Sequence, residues 1–290
     1  MAVEISRPEN LPLLLPEPSA AFQVTQARAD IRWTYQVVDP GSCILAGIDP
    51  EQDFPGARIN RLGDGSLLMR SPQFQARLDR ISDHFPWLAI EMHEGSVTIL
   101  DFRQNRSDMF FSPEFADELA WRGAGPAMLA LFLPNFDACL LHASAIVRQG
   151  KAAVFMAPDE GGKTTAVRLS SSGTVLGDDQ VVLRRSGSGF RVSGTPWGLH
   201  ADAKTQARLG GLFLLTKADG FALEPLPVRD LASQIWEEIK DPLSLLPKPL
   251  KKKAFAIICA ISAAVPAWRL SFARDHIDWE AIDKAMSKKE

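Results

Sequence analysis

The stretch that most restricts what this chain can fold into lies just past its middle. An apolar run, Ala152–Ala157, leads directly into Ala157-Pro158-Asp159-Glu160-Gly161-Gly162-Lys163-Thr164-Thr165, and a short helical pattern continues to Ser170. A strand that ends in glycines and turns into a helix leaves backbone N–H groups converging on one point. The positive end of the helix dipole faces the same point. A lysine at the helix start adds a mobile cation for β- and γ-phosphates, and the next hydroxyl can reach Mg²⁺. Residues 157–165 therefore read as a phosphate loop in the form that has alanine at its first position, with Lys163 and Thr164 in those two roles.

The surrounding pattern is that of an α/β domain. Ala143–Val147 and Ala152–Ala157 read as strands joined by a turn at Gln149-Gly150, and Lys163–Ser170 as a helix. Thr174–Leu176 reads as a buried strand. Val181–Arg185 and Phe190–Ser193 flank a Ser-Gly-Ser-Gly turn and read as a hairpin. Leu212–Thr216 and Ala267–Phe272 are further strands. Val228–Ile239, Leu250–Ala263 and Asp278–Ser287 read as helices, the first two separated by a proline-rich link at Pro242–Pro249. Ala254–Val265 is too short to cross a bilayer and reads as a buried helix.

Upstream the grammar differs. Residues 1–20 are proline-rich and read as an irregular lead-in, 21–111 as a mostly β domain of short runs between turns, and 112–138 as a connecting helix. Ser112 would cap that helix and Pro113 would occupy its first turn. Residues 139–290 then form the phosphate-loop domain. Charge follows the same division. Residues 1–138 hold 11 basic and 19 acidic side chains, whereas residues 139–290 hold 21 and 16. An acidic half joined to a mildly basic one does not suit a general nucleic-acid binder, but it suits one half handling an anion. Cys43, Cys139 and Cys259 form no close pair, so the reading is buried or semi-buried thiols in a reducing compartment, with neither zinc site nor disulfide framework. The amino terminus has no signal-like pattern, so the expectation is a cytoplasmic protein without a membrane partner. A homo-oligomer is compatible with the sequence.

Asp178 and Asp179 follow the Thr174–Leu176 run. Carboxylates at a strand end beyond a phosphate loop can hold Mg²⁺ or accept a hydroxyl proton. His142, taken alone, reads as a core histidine.

Several segments in consistent order resemble the HPr serine kinase/phosphorylase superfamily, which is related to ATP-dependent phosphoenolpyruvate carboxykinase. They are Leu141-His142-Ala143-Ser144, the loop ending Gly162-Lys163-Thr164-Thr165, Gly177-Asp178-Asp179 and Gly194-Thr195-Pro196-Trp197-Gly198. Leu209–Leu215 and Val265–Leu270 extend the likeness, which covers about residues 139–275. The resemblance implies a carboxykinase-like phosphate-loop domain behind a smaller mostly β domain, and a phosphotransferase using ATP and Mg²⁺. It implies His142 near the phosphates, Asp178 as base for a substrate hydroxyl, and Asp179 with Thr164 as metal partners, while leaving the division between the two aspartates open.

The sequence departs from that pattern where the family carries Ser-Gly and this chain carries Asp159-Glu160. At ~5 Å in a partly wet site, one such carboxylate opposes a phosphate by about 3 kcal/mol. Glu160 also takes positive φ less readily than glycine. Gly198-Leu199-His200 lacks an acidic residue many relatives carry, and no arginine-rich segment marks a true HPr kinase. The expected acceptor is therefore a hydroxyl of a small molecule, peptide or protein other than HPr. The alternative is a nucleotide-binding regulatory module with a degraded active site.

Overall fold

The computed structural model describes residues 3–6, 30–37, 59–61, 67–70, 75–78, 87–91, 96–101, 105–111 and 125–287, apart from 171, 198–204, 245, 247 and 274. Cys43, the Ser112 cap and the Gly198–His200 segment lie outside these residues. Two compact units are present, one formed chiefly by Val24–Phe132, the other by Leu133–Leu243 and Lys252–Glu290.

The first unit is a sheet of β1 (Val3–Ser6), β2 (Ile31–Val37), β3 (Ile59–Arg61), β4 (Leu67–Arg70), β5 (Gln75–Leu78), β6 (Trp87–Glu91), β7 (Ser96–Asp101) and β8 (Arg106–Phe111). Its order is β1-β2-β8-β7-β6-β5-β4-β3. The β1–β2 and β2–β8 pairs are parallel, and every other pair is antiparallel. β6 and β7 pair antiparallel, with Trp87 opposite Asp101 and Ile90 opposite Thr98. Val3–Ser6 corrects the reading of residues 1–20 as irregular. Its apolar-polar alternation lets Val3 and Ile5 pair in register with Ile31 and Trp33, both buried. Within the expected 112–138 connection, the described helix is α1 (Gly125–Phe132), followed by a 3-10 turn at Leu133–Phe136. Pro126 sits in its first turn, where a missing N–H costs nothing.

The second unit is mixed α/β. Its strands are β9 (Ala138–Arg148), β10 (Lys151–Met156), β11 (Thr174–Gly177), β12 (Gln180–Ser186), β13 (Gly189–Gly194), β14 (Gln206–Lys217), β15 (Ala222–Pro225) and β16 (Ala267–Phe272). Its helices are α2 (Lys163–Arg168), α3 (Val228–Ser244), α4 (Lys248–Ala264) and α5 (Trp279–Ser287). β10 pairs antiparallel with β9 and parallel with β14, while β9 pairs with β12, β12 with β13, and β13 with β14. These five strands thus close a ring of pairings. β16 adds in parallel to β14, and β15 closes the edge against β16.

The core lies between β10, β14, β16 and the helices α2 and α5. Phe155, Phe213 and Trp268 face one another in register across three strands, with ring centroids 5.4 and 5.0 Å apart. Trp279 meets Phe155 edge-on at 5.8 Å. Asp278 caps α5 through a 3.0 Å bond from the Ala281 N–H, as the run from Asp278 suggested. Arg148 holds α5 onto β9: its guanidinium donates to both Asp283 oxygens at 3.0 and 2.8 Å and lies 4.7 Å from the centroid of the Trp279 ring.

Three expectations are corrected. The Pro242–Pro249 link is mostly helical, because α3 runs through Pro242 to Ser244 and α4 starts at Lys248. Leu231, Ile235, Ile239 and Leu243 are all buried at four-residue spacing, which holds the last turn of α3 in place. Pro249 needs no N–H partner in a first turn. Second, the 254–265 run is buried on one face only. Ala254, Ile257, Ile258, Ile261, Ser262 and Val265 are inside, while Phe255 is 50% exposed. A 3.6-residue period divides even a continuous apolar run into an inner stripe and an outer one. Third, Cys259 lies on the outer stripe and is exposed, whereas Cys139 is buried, its thiol pushed up to about 12 by burial. No helix among the described residues is long and apolar enough to cross a membrane.

Candidate functional site

β10 is apolar throughout its buried length and delivers the chain to Ala157, itself fully buried. The next residues turn sharply: the Gly161 N–H donates to the Pro158 carbonyl at 2.9 Å. Glu160 stands at the third position of that turn with φ 58°. This left-handed conformation suits glycine and costs another residue about 1–2 kcal/mol. The loop thus keeps a glycine conformation at the position where the resemblance expects glycine, although the residue is glutamate. Gly161 is required for a different reason. A Cβ there would lie 2.4 Å from the Ala157 Cβ and 2.7 Å from the Pro158 oxygen. Gly162 follows with φ 98° and opens α2 with no side-chain cap, leaving the helix's first N–H groups without a side-chain acceptor.

Lys163 is folded beneath this loop. Its Nζ donates to the Ala157 and Pro158 carbonyls at 2.8 and 3.2 Å, with the Asp159 carboxylate at 3.9 Å. Only 7% of the side chain is exposed. Burial pulls the ammonium pKa down, while Asp159, Glu238 and Asp179 push it back up. Thr164 is exposed and Thr165 half-buried. The Thr164 hydroxyl points to the Asp178 backbone oxygen at 3.4 Å, a long contact.

β9 supplies the opposite wall. Side chains alternate across a strand, so His142 and Ser144 share a face. Ser144, fully buried, donates to the Lys163 carbonyl at 2.8 Å. His142 Nε2 lies 3.1 Å from an Asp179 oxygen and 3.5 Å from an Asp159 oxygen. This corrects its reading as a core histidine: the ring is partly exposed and faces two carboxylates. Asp178 is buried, whereas Asp179 is half-exposed. The turn carrying them is tied down by Thr195, whose hydroxyl donates to the Gln180 carbonyl at 3.1 Å.

The chain therefore brings His142, residues 157–165, Asp178 and Asp179 into one site. It also adds a residue that the sequence reading passed over. Glu238 of α3 is partly buried, and burial raises its pKa. His142 and Lys163 pull that pKa down and Asp159 pushes it up, which puts its carboxylate among these groups. The available signal was positional, since Glu238 adjoins Ile239 and follows Ile235 by three residues, on the edge of the buried stripe.

Chemically, the site combines helix-start N–H groups and one buried ammonium with a His142–Asp179 pair at hydrogen-bond distance. Among the described residues, no group of three or more His, Cys, Asp and Glu side chains is arranged to hold a metal ion. A divalent cation at Thr164 would need ligands brought by a phosphate, the usual manner for Mg²⁺.

Three comparisons bear on kinship. No curated protein matches the sequence. Among solved structures, the HPr(Ser) kinase/phosphatase from Coxiella burnetii is similar at 8% identity and a TM-score of 0.28, over 51% of this chain and 93% of that one. The family profile described as SynChlorMet cassette protein ScmC matches residues 132–287. That match spans more than half of the sequence, so the chain belongs to the ScmC family.

Proposed function

We propose that the second unit binds a nucleoside triphosphate with Mg²⁺ and transfers the γ-phosphate to a hydroxyl of a small molecule, a peptide or a protein. The observation that carries this reading is the buried Lys163 ammonium beneath a strand–loop–helix turn, facing His142 and two aspartates. A lysine so deeply buried is costly unless partners hold it. Here the Ala157 and Pro158 carbonyls hold it in the loop that opens α2, an arrangement suited to a phosphate entering from solvent.

The residues then divide the work. The loop N–H groups and Lys163 hold the β- and γ-phosphates. Bound Mg²⁺ would neutralise phosphate charge, with Thr164 and one aspartate as its protein ligands. The acceptor oxygen attacks γ-phosphorus, the bond to the β-phosphate oxygen breaks, and the nucleoside diphosphate leaves. The hydroxyl proton passes to Asp179, whose exposed carboxylate is steadied by His142. Asp178, buried beside Thr164, serves the cation side. This assignment exchanges the two roles implied by the family resemblance, and it rests on the difference in burial.

Transfer of labelled γ-phosphate to serine, peptides and proteins tests the reading, with Lys163→Ala and Asp179→Asn as controls. Transfer by the wild type no greater than by those variants would end it. One observation favours the alternative of a nucleotide-binding regulatory module: the Asp159 carboxylate approaches both His142 and Lys163. That alternative expects nucleotide to raise the melting temperature while transfer stays at background. Absence of any thermal shift with ATP, ADP or GTP, with and without Mg²⁺, would remove both readings.

A further inference from the structure

Away from this site, strand register assembles a feature that no local segment of sequence contains. Arg184 of β12 lies directly opposite Arg191 of β13, and Arg191 directly opposite Arg208 of β14. Arg208 is in turn paired with Lys151 of β10, and Lys151 with Arg148 of β9. Five basic residues thus form one continuous cross-strand row around the ring. Two of them are engaged by α5. Arg148 holds Asp283, and Lys151 donates to the Met286 carbonyl at 3.1 Å.

The other three have no such use. Arg184, Arg191 and Arg208 are exposed, and among the described residues no carboxylate forms an ion pair with them. They cannot turn inward, because the alternate positions Leu183, Val192 and Ala207 form the buried row of the same strands. The next row on the same face is Val182, Ser193 and Gln206, of which Val182 is buried, and it brings no negative charge. Like charges directly opposite one another destabilise a sheet, and adjacent strands hold these guanidinium groups only ~5 Å apart at their roots.

We propose that this arginine row is a docking surface for the acidic N-terminal half of a second copy of the chain. Charge complementarity selects that occupant. Residues 1–138 carry eight more acidic than basic side chains, while residues 139–290 carry five more basic than acidic. The whole chain is only −3, so two copies repel each other weakly overall while their unlike halves attract. Each copy offers one basic row and one acidic half, so two reciprocal contacts close a twofold dimer. A nucleic acid fits less well, because the net charge of the chain, −3, has the same sign as its phosphates.

Sedimentation equilibrium of the full chain at 50 and 500 mM NaCl tests this, alongside the triple variant Arg184→Gln/Arg191→Gln/Arg208→Gln and the single variant Arg185→Gln. Arg185 belongs to the opposite strand face and lies over the Phe190 ring, so it controls for charge alone. The expected result is a mass of twice 31.8 kDa at low salt and a monomer at high salt, where screening is short-ranged. The triple variant should self-associate at least roughly tenfold more weakly with an undiminished melting temperature, and Arg185→Gln should behave as wild type. A monomeric wild type at low salt, a triple variant that dimerises equally well, or dimerisation insensitive to salt would each overturn the proposal. A wild type whose mass rises only when single-stranded DNA is added would overturn it in favour of nucleic acid. None of these outcomes depends on nucleotide binding or phosphate transfer.

Discussion

Replacing Asp159 with asparagine should strengthen nucleotide binding, and the geometry sets the size of the effect. The carboxylate stands 3.5 Å from His142 Nε2 and 3.9 Å from Lys163 Nζ, the two groups that an incoming phosphate would also approach. A phosphate drawn there would lie about 5 Å from the carboxylate, and in a partly wet medium their repulsion would be about 3 kcal/mol. The Asp159 side chain, however, is 90% exposed, so an effective dielectric nearer that of water applies. The same charges then repel by about 1 kcal/mol, or about fivefold in affinity. Asparagine keeps the shape, and Lys163 keeps its two carbonyl acceptors. Isothermal titration with ADP at 20 mM salt should show Asp159→Asn binding about fivefold tighter than wild type. The difference should shrink at 500 mM salt as screening shortens. Equal or weaker binding by the variant at low salt would refute the reasoning, because it would mean that the carboxylate helps to hold nucleotide.

Three further outcomes follow from the same structure. Gly161→Ala forces a Cβ into the Ala157 Cβ and the Pro158 carbonyl, so the turn must open. Stability should fall by about 1–3 kcal/mol and nucleotide should no longer raise the melting temperature, which a thermal melt with and without ATP would read. Arg148→Ala leaves the buried Asp283 carboxylate without its bidentate partner and should cost about 3–5 kcal/mol, measured by urea unfolding. Glu238→Gln tests the raised carboxyl pKa. A carboxyl whose folded pKa lies above its unfolded value contributes stability below the unfolded value and loses it as pH rises through the folded one. Melts from pH 4 to 7 should therefore show the variant gaining on wild type as pH rises, and a constant difference would contradict that placement.

What was legible in the sequence was local. The strand Ala267–Phe272 follows from a short apolar run that begins after Pro266, the hairpin Val181–Ser193 from two runs around a Ser-Gly-Ser-Gly turn, and Ala157–Thr165 is one contiguous segment whose spacing is its meaning. The Asp178-Asp179 pair was legible as strand-end carboxylates beyond the loop, whereas His142 became legible only as a member of an ordered set, since a single histidine in an apolar run is indistinguishable from a core residue. Glu238 stayed hidden because helical periodicity tells which face is covered but not what covers it. The arginine row stayed hidden for a stronger reason. Residues 148, 151, 184, 191 and 208 become neighbours only through the register of five strands, one pair of them parallel. No window of sequence contains that information.

The element that joins the local and non-local parts is β9. Four successive even-numbered side chains on one of its faces follow the loop and α2 from beginning to end. His142 meets Asp159 of the loop, and Ser144 holds the carbonyl of Lys163, the first helical residue. Ile146 joins Ala166 and Val167 in the core, and Arg148 bonds Ser170 and Ser172 just past the helix end. The odd-numbered residues Cys139, Leu141, Ala143 and Ala145 are buried on the other face, which leaves the strand no freedom to rotate. A one-residue slip would exchange the two faces. It would bury the His142 ring and the Arg148 charge while withdrawing the contacts at both ends of the loop–helix segment. The same alternation that fills the core therefore also fixes where Lys163 presents its charge, so packing defects along β9 should register first as a loss of anion binding at the loop.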